Sequence, residues 1–120
     1  MSEARRRAER AGRRAERWAA VWLALRGYRI LDRRFRVRAG EIDIVATRGR
    51  TVCFIEVKQR TGEAVDPVSA RSEARIIRAG EAWLAKHPDY VARDFGLRYD
   101  ILIVSGRWRV VHRVDVFRGW

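Results

Sequence analysis

Two strand-like segments joined by three residues constrain this chain more than any other feature. Glu41 to Thr47 alternates, with Ile42, Ile44 and Ala46 at period two, and Thr51 to Arg60 is rich in β-formers. Arg48-Gly49-Arg50 leaves space for nothing longer than a tight hairpin. Each segment holds a carboxylate in apolar company: Asp43 between Ile42 and Ile44, and Glu56 after Phe54-Ile55. A charge is costly there unless it is paired or bound.

Side chains alternate across a strand, so Glu56 and Lys58 share a face. Folding the hairpin about residues 48–49 sets Asp43 beside Phe54 or Ile55, a near-diagonal neighbour of Glu56, at about 4.5–8 Å between Cβ atoms. Two carboxylates that close can share one divalent cation, and without it they repel. A hard cation prefers oxygen ligands, so Mg²⁺, or Mn²⁺ in its place, is the expected cofactor, with Asp43 and Glu56 as ligands. Lys58 is then a compact charge that stabilises a phosphoryl transition state or lowers the pKa of an attacking water. Lys58 and Lys86 are the only lysines beside 25 arginines, so bulk composition did not select Lys58. A Glu-x-Lys triplet alone is more often a surface ion pair; its apolar setting and the nearby Asp43 favour a site. Glu16, at the margin of a helical stripe beside Ala19, reads equally as a metal ligand reaching over the sheet and as one more charge on an arginine-rich helix.

The rest of the chain supplies a scaffold. Residues 3–26 read as a helix with Ala11, Ala15, Trp18, Trp22 and Leu25 as its apolar stripe, stopped by Gly27. Residues 28–38 read as a strand, 61–67 as a loop, 68–86 as a second helix, and 98–104 and 108–117 as two further strands. The expected fold is α/β: one domain over residues 1–120, with a mixed central sheet of about five strands flanked by helices. The second helix serves as a crossover that makes the third and fourth strands parallel, and the first three strands form an antiparallel meander. Trp18, Trp22 and Trp83 are expected in the core. His112 is expected to be a satisfied half-buried histidine, and Asp100 to cap its strand or pair with Arg98.

Lys and Arg total 27 against 15 Asp and Glu, a net charge of +12. Such a field attracts phosphate backbones or anionic membranes. The cations expected to meet nucleic acid are Arg10, Arg13, Arg14 and Arg17 on the first helix, with Arg60, Arg71 and Arg75. No apolar run approaches the roughly 20 residues that span a bilayer, and the arginine-rich start lacks the apolar core of a secretory signal. Cys53 is the only cysteine and sits in an apolar run, which excludes an intramolecular disulfide and fits a reducing cytoplasm.

Gly12-x-x-Ala15-Glu16, Gly27-Tyr28-x-Ile30-Leu31, Gly40-Glu41-Ile42-Asp43-Ile44-Val45-Ala46, Phe54-Ile55-Glu56-Val57-Lys58-x-Arg60 and Arg98-Tyr99-Asp100 occur in that order. Over nearly its whole length the chain thereby resembles the YraN family of small bacterial proteins. That family is similar to archaeal Holliday junction resolvases and is grouped with the restriction-endonuclease-like PD-(D/E)xK nucleases. The resemblance implies a restriction-endonuclease-like fold. It implies catalytic roles for Asp43, Glu56 and Lys58, and it places the resolvase helix glutamate on Glu16. Ala15 stands where the family often has Gly, and Arg71 and Arg75 stand where it often has Lys. The function expected is metal-dependent endonucleolytic cleavage of DNA, including branched or structured DNA, with room for a homodimer. Two other readings stand beside it: a nucleic-acid-binding module that kept the fold without catalysis, and a basic protein docked on a partner or membrane surface.

Overall fold

The computed structural model describes residues 2–60, 70–106 and 108–117. Helix α1 (Glu3–Leu25) opens the chain and is capped by Ser2, whose hydroxyl accepts from the Arg5 amide. Three strands follow, β1 (Arg29–Val37), β2 (Gly40–Arg48) and β3 (Thr51–Arg60). Then come α2 (Ala70–Lys86), a one-turn helix α3 (Asp89–Ala92), β4 (Gly96–Ser105) and β5 (Arg109–Arg113). The five strands form one sheet in the order β1-β2-β3-β4-β5. Only β3 and β4 run parallel, and α2 lies on the crossover between them. The architecture is the expected α/β one, consistent with a restriction-endonuclease-like fold.

The sheet is buried on both faces. Under α1, Ala15, Ala19, Ala20 and Leu23 pack on Ile44, Ala46, Cys53, Ile55, Leu102 and Val104. The small alanines of α1 let its backbone lie close to the strands. Under α2, Ile76, Ala79 and Trp83 pack on Ile42, Val45, Val52, Phe54, Tyr99 and Phe117. Trp83 is fully buried, with its indole N–H donating to Asp32. Cys53 is core, and burial pushes its thiol up to about 11, which leaves it protonated and unreactive.

Four expectations change. The hairpin turns at Gly49-Arg50, because Arg48 pairs with Thr51 and the one positive φ falls on Gly49, at 57°. Asp43 therefore projects across from Glu56 itself rather than from Phe54 or Ile55. Ile42 does not share a face with Ile44 and Ala46: it lies under α2, and they lie under α1. The fifth strand ends at Arg113, since Asp115 adopts a φ of 54° and turns the chain so that Phe117 reaches the α2 cluster. The short helix α3 had no apolar stripe long enough to announce it. The expected loop 61–67 lies outside the described residues, as does the start of the helix expected from residue 68. Trp18 and Trp22 are partly buried against the α1 cluster.

Gly40 opens β2 where α2 crosses it. A Cβ there would fall on the backbone carbonyl of Arg75, an atom that cannot swing aside. Gly40→Ala is expected to lower stability by roughly 1–3 kcal/mol, the usual cost of forcing volume into a packed interior. Alanine in a strand would otherwise gain from a less flexible unfolded chain. Thermal melts of the two proteins decide it, and an equal or higher Tm for the variant would show that α2 does not press on this strand.

Candidate functional site

β2 and β3 pair from Arg48↔Thr51 to Ile44↔Ile55 and then part, while β2 stays paired with β1 down to Gly40. Asp43 stands at the fork. Its Oδ2 accepts a hydrogen bond of 2.8 Å from the Val57 amide, so a side chain does the work of the next ladder carbonyl. Strand β2 changes face here, since Ile42 is buried under α2 and Ile44 under α1. The change is matched on β1. Arg34, between the pairs Arg33↔Ile44 and Phe35↔Ile42, holds a left-handed φ of 56°. A non-glycine residue in that conformation costs about 1 kcal/mol or more, and such strain concentrates at working sites.

The strain places the Arg34 guanidinium 3.3 Å from Glu16 on α1. Glu16 faces Asp43. Burial raises the Asp43 pKa most, the Val57 amide opposes it, and the charges of Glu16 and Glu56 and a hydrogen bond to Glu16 raise it further, to about 7. Glu56 lies on β3 with its Oε1 3.2 Å from Lys58 Nζ. The structure thus gathers Asp43, Glu16, Glu56 and Lys58 around one fork between sheet and helix. The Glu16 and Glu56 side chains are 15% and 20% exposed, against 39% for Arg34 and 36% for Lys58, so their cationic partners lie nearer the solvent.

A cation would find oxygen donors only. Among the described residues, Glu56 Oε2 is buried without a hydrogen-bond partner, and Glu16 Oε2, equally buried, has only the 3.3 Å ion pair to Arg34 Nε. Unsatisfied buried carboxylate oxygens are costly, and a hard divalent ion is the ligand that satisfies them. Among the described residues, no group of three or more His, Cys, Asp or Glu side chains is drawn together tightly enough to hold a metal ion as it stands. Glu16 is turned to Arg34, Glu56 to Lys58 and Asp43 to the Val57 amide. The donor set, oxygen atoms only, fits a hard cation in its chemistry.

The expected nucleic-acid contacts divide. Arg10, Arg13, Arg14, Arg17 and Arg75 are exposed and Arg60 is half-buried, while the side chain of Arg71 lies outside the described residues. Beside the carboxylates, Glu9, Gly12, Arg13, Glu16, Arg34 and Arg36 line a groove of about 320 Å³. Sequence reasoning missed Arg34 and Arg36 there. One arginine among 25 carries no signal, and the left-handed turn that aims Arg34 is not written in its side chain.

Asp100 belongs elsewhere. It is buried, and Arg98, His112 Nε2 and the Asp115 amide all donate to its carboxylate, while Arg98 also donates to Tyr28. These donors outweigh desolvation and hold its pKa below the usual carboxylate value. The cluster ties β4, β5 and the start of β1 together, and His112 is the satisfied half-buried histidine expected. Every Asp100 oxygen is spoken for, which suits a structural tie.

The sequence profile of the uncharacterised protein family UPF0102 matches residues 15–104, a span that includes Glu16, the fork and Asp100. The UPF0102 protein of Agrobacterium fabrum is 47% identical over 119 residues, covering 98% of this chain and 96% of that one. The UPF0102 protein of Maricaulis maris is 50% identical over 111 residues, covering 90% and 86%. That of Bartonella bacilliformis is 42% identical over 108 residues, covering 88% and 86%.

Asp43 makes the cluster testable without any activity. Its pKa is raised on folding, so the native state binds the proton more tightly and stability falls as pH rises from about 4 towards 7. Asp43→Asn keeps an acceptor for the Val57 amide and removes the charge. Without divalent cations the variant is expected to be roughly 1–3 kcal/mol more stable at pH 8 and no more stable than wild type at pH 4. Denaturant titrations at both pH values check this, and a variant less stable at pH 8 would show that the ionised carboxylate is comfortable where it stands.

Proposed function

The chain belongs to the UPF0102 family, and from its carboxylate fork we propose that it is a metal-dependent endonuclease acting on DNA, including branched or structured DNA. The observation that supports this is the convergence of Asp43, Glu16 and Glu56 on one fork, with a buried Glu56 oxygen lacking a hydrogen-bond donor and Lys58 held on the other oxygen of that carboxylate.

A hard divalent cation, Mg²⁺ or Mn²⁺, held by Asp43, Glu56 and Glu16 would supply Lewis-acid polarisation of the scissile phosphate. The chain's own residues do the rest. Lys58 Nζ, held 3.2 Å from Glu56, offsets the charge that develops on the phosphoryl oxygens. Lys58 also lowers the pKa of the attacking water, whose proton leaves to solvent while solvent protonates the departing oxygen. Water oxygen bonds to phosphorus, the phosphorus–oxygen bond to one nucleotide breaks, and a phosphomonoester and a hydroxyl end result. Arg13, Arg34 and Arg36 in the adjacent groove hold the backbone in register.

A second reading draws on a specific observation. Glu16 and Glu56 are turned to Arg34 and Lys58, which suits a protein that binds nucleic acid without cutting it. Both readings require phosphate binding, with log K falling by about 0.9 per phosphate neutralised for each unit of log salt on duplex. A salt-insensitive affinity for DNA and RNA alike would sink both.

Cleavage separates them. Wild type is expected to cut labelled DNA only with Mg²⁺ or Mn²⁺. Asp43→Ala is expected to lose at least about a hundredfold of that rate while binding DNA as well or better, because one negative charge leaves the phosphate path. Lys58→Arg is expected to lose most activity at unchanged net charge, since a fork does not replace a point charge. Equal cutting by wild type and Asp43→Ala would reject the site, and binding without cleavage in every protein would favour the second reading.

A further inference from the structure

A second concavity lies on the opposite flank of α1. Ala11, Arg14, Ala15, Trp18, Gln59, Val104, Gly106 and Trp108 enclose about 400 Å³, within the roughly 300–1,000 Å³ usual for small-ligand pockets. Residues three and four apart share a helix flank. Arg13 and Glu16 thus look into the phosphate groove, and Arg14 and Trp18 into this pocket, with the helix between them.

Trp108 is the unusual wall. It is 66% exposed, an indole turned largely to solvent. It is nevertheless held in place. Trp18 packs edge-on against it at 4.9 Å and 76°, and the Trp18 indole N–H donates to the Trp108 carbonyl at 3.4 Å. A fixed, exposed indole beside a guanidinium and an amide is a stacking surface with a polar edge. Gln59 follows Lys58 directly on β3, and Ala15 precedes Glu16 on α1, so the pocket and the carboxylate cluster are built from consecutive residues on the same two elements.

We propose that this pocket captures one unpaired nucleobase of the nucleic acid, stacked on Trp108, with Gln59 at its polar edge and Arg14 on its flanking phosphate. The proposal rests on the nucleic-acid reading above and adds to it the substrate class. A paired and stacked base shows neither of its faces, so a continuous duplex cannot fill the pocket, whereas a strand with unpaired nucleotides can. The exposed arginines Arg10, Arg13, Arg14 and Arg17 carry such a strand across α1, whose width of about 10–12 Å separates the base pocket from the phosphate groove.

The test uses the full chain, without divalent cation so that nothing is cut. Fluorescence anisotropy compares a labelled continuous duplex with the same duplex carrying an unpaired 2-aminopurine. Wild type is expected to prefer the unpaired substrate, and to quench the 2-aminopurine as it stacks. Trp108→Ala is expected to lose roughly 5- to 100-fold on that substrate, the range that stacking gives per base, and to keep its duplex affinity. Trp108→Phe retains an aromatic face and is expected to recover much of the loss, which separates stacking from misfolding. Equal losses on both substrates, or unquenched 2-aminopurine in the wild-type complex, would overturn the pocket while leaving phosphate binding intact. No binding to either probe at low salt would overturn the pocket and the nucleic-acid reading together.

Discussion

Where β2 leaves β3, the backbone would lose a ladder partner at Val57, and a buried amide without an acceptor costs free energy comparable to a lost hydrogen bond. Asp43 supplies the acceptor from its side chain. That one bond lets the sheet fork without an orphaned donor, and it fixes a carboxylate at the fork. Burial then makes the charge costly, and Glu16 and Glu56 make it more so. The scaffold holds this arrangement because α1 packs on one face of the sheet and α2 on the other. Gly40 shows how tight that packing is, since α2 meets β2 three residues before Asp43 with no space for a Cβ.

The two acidic centres of the molecule illustrate how environment assigns roles to one residue type. Asp100 is 2% exposed, yet its pKa falls, because its hydrogen-bond donors and a guanidinium more than offset its desolvation. Asp43 has one backbone donor and two acidic neighbours, so its pKa rises. A group satisfied on every oxygen stabilises the fold above its pKa. A group left short of donors holds binding capacity in reserve, at a cost to stability.

Much of this was legible in the sequence, for identifiable reasons. Periodicity placed the strands and the crossover, because burial on two faces leaves Val, Ile and Phe runs that only a central sheet accommodates. The parallel pairing of β3 and β4 followed from the helix between them. Asp43, Glu56 and Lys58 were visible as charges embedded in apolar strands. The change of face at Asp43 was not, since Ile42 and Ile44 obey period two on paper. The backbone breaks that period at a position opposite Arg34, a residue whose side chain gives no hint of a left-handed conformation. Glu16 was ambiguous for a similar reason. Its position on the helix is marginal to the stripe, and only the docking angle of α1 turns it to the sheet.

The charge distribution carries the last step. The surface is strongly positive, with a net +12, while the fork concentrates carboxylates. Two of the three acidic groups at the fork pair with a cation from the rim, Glu16 with Arg34 and Glu56 with Lys58. These pairs are partly exposed, so solvent screens them and each contributes about 1 kcal/mol or less. Weak pairs are easily exchanged. On the nuclease reading, a divalent ion taking the carboxylates would free Arg34 and Lys58 at the moment a phosphate arrives between them. On that reading the cations paired with the carboxylates are also the ones that would receive the backbone, so neutralising the carboxylates and binding the substrate would draw on the same two side chains.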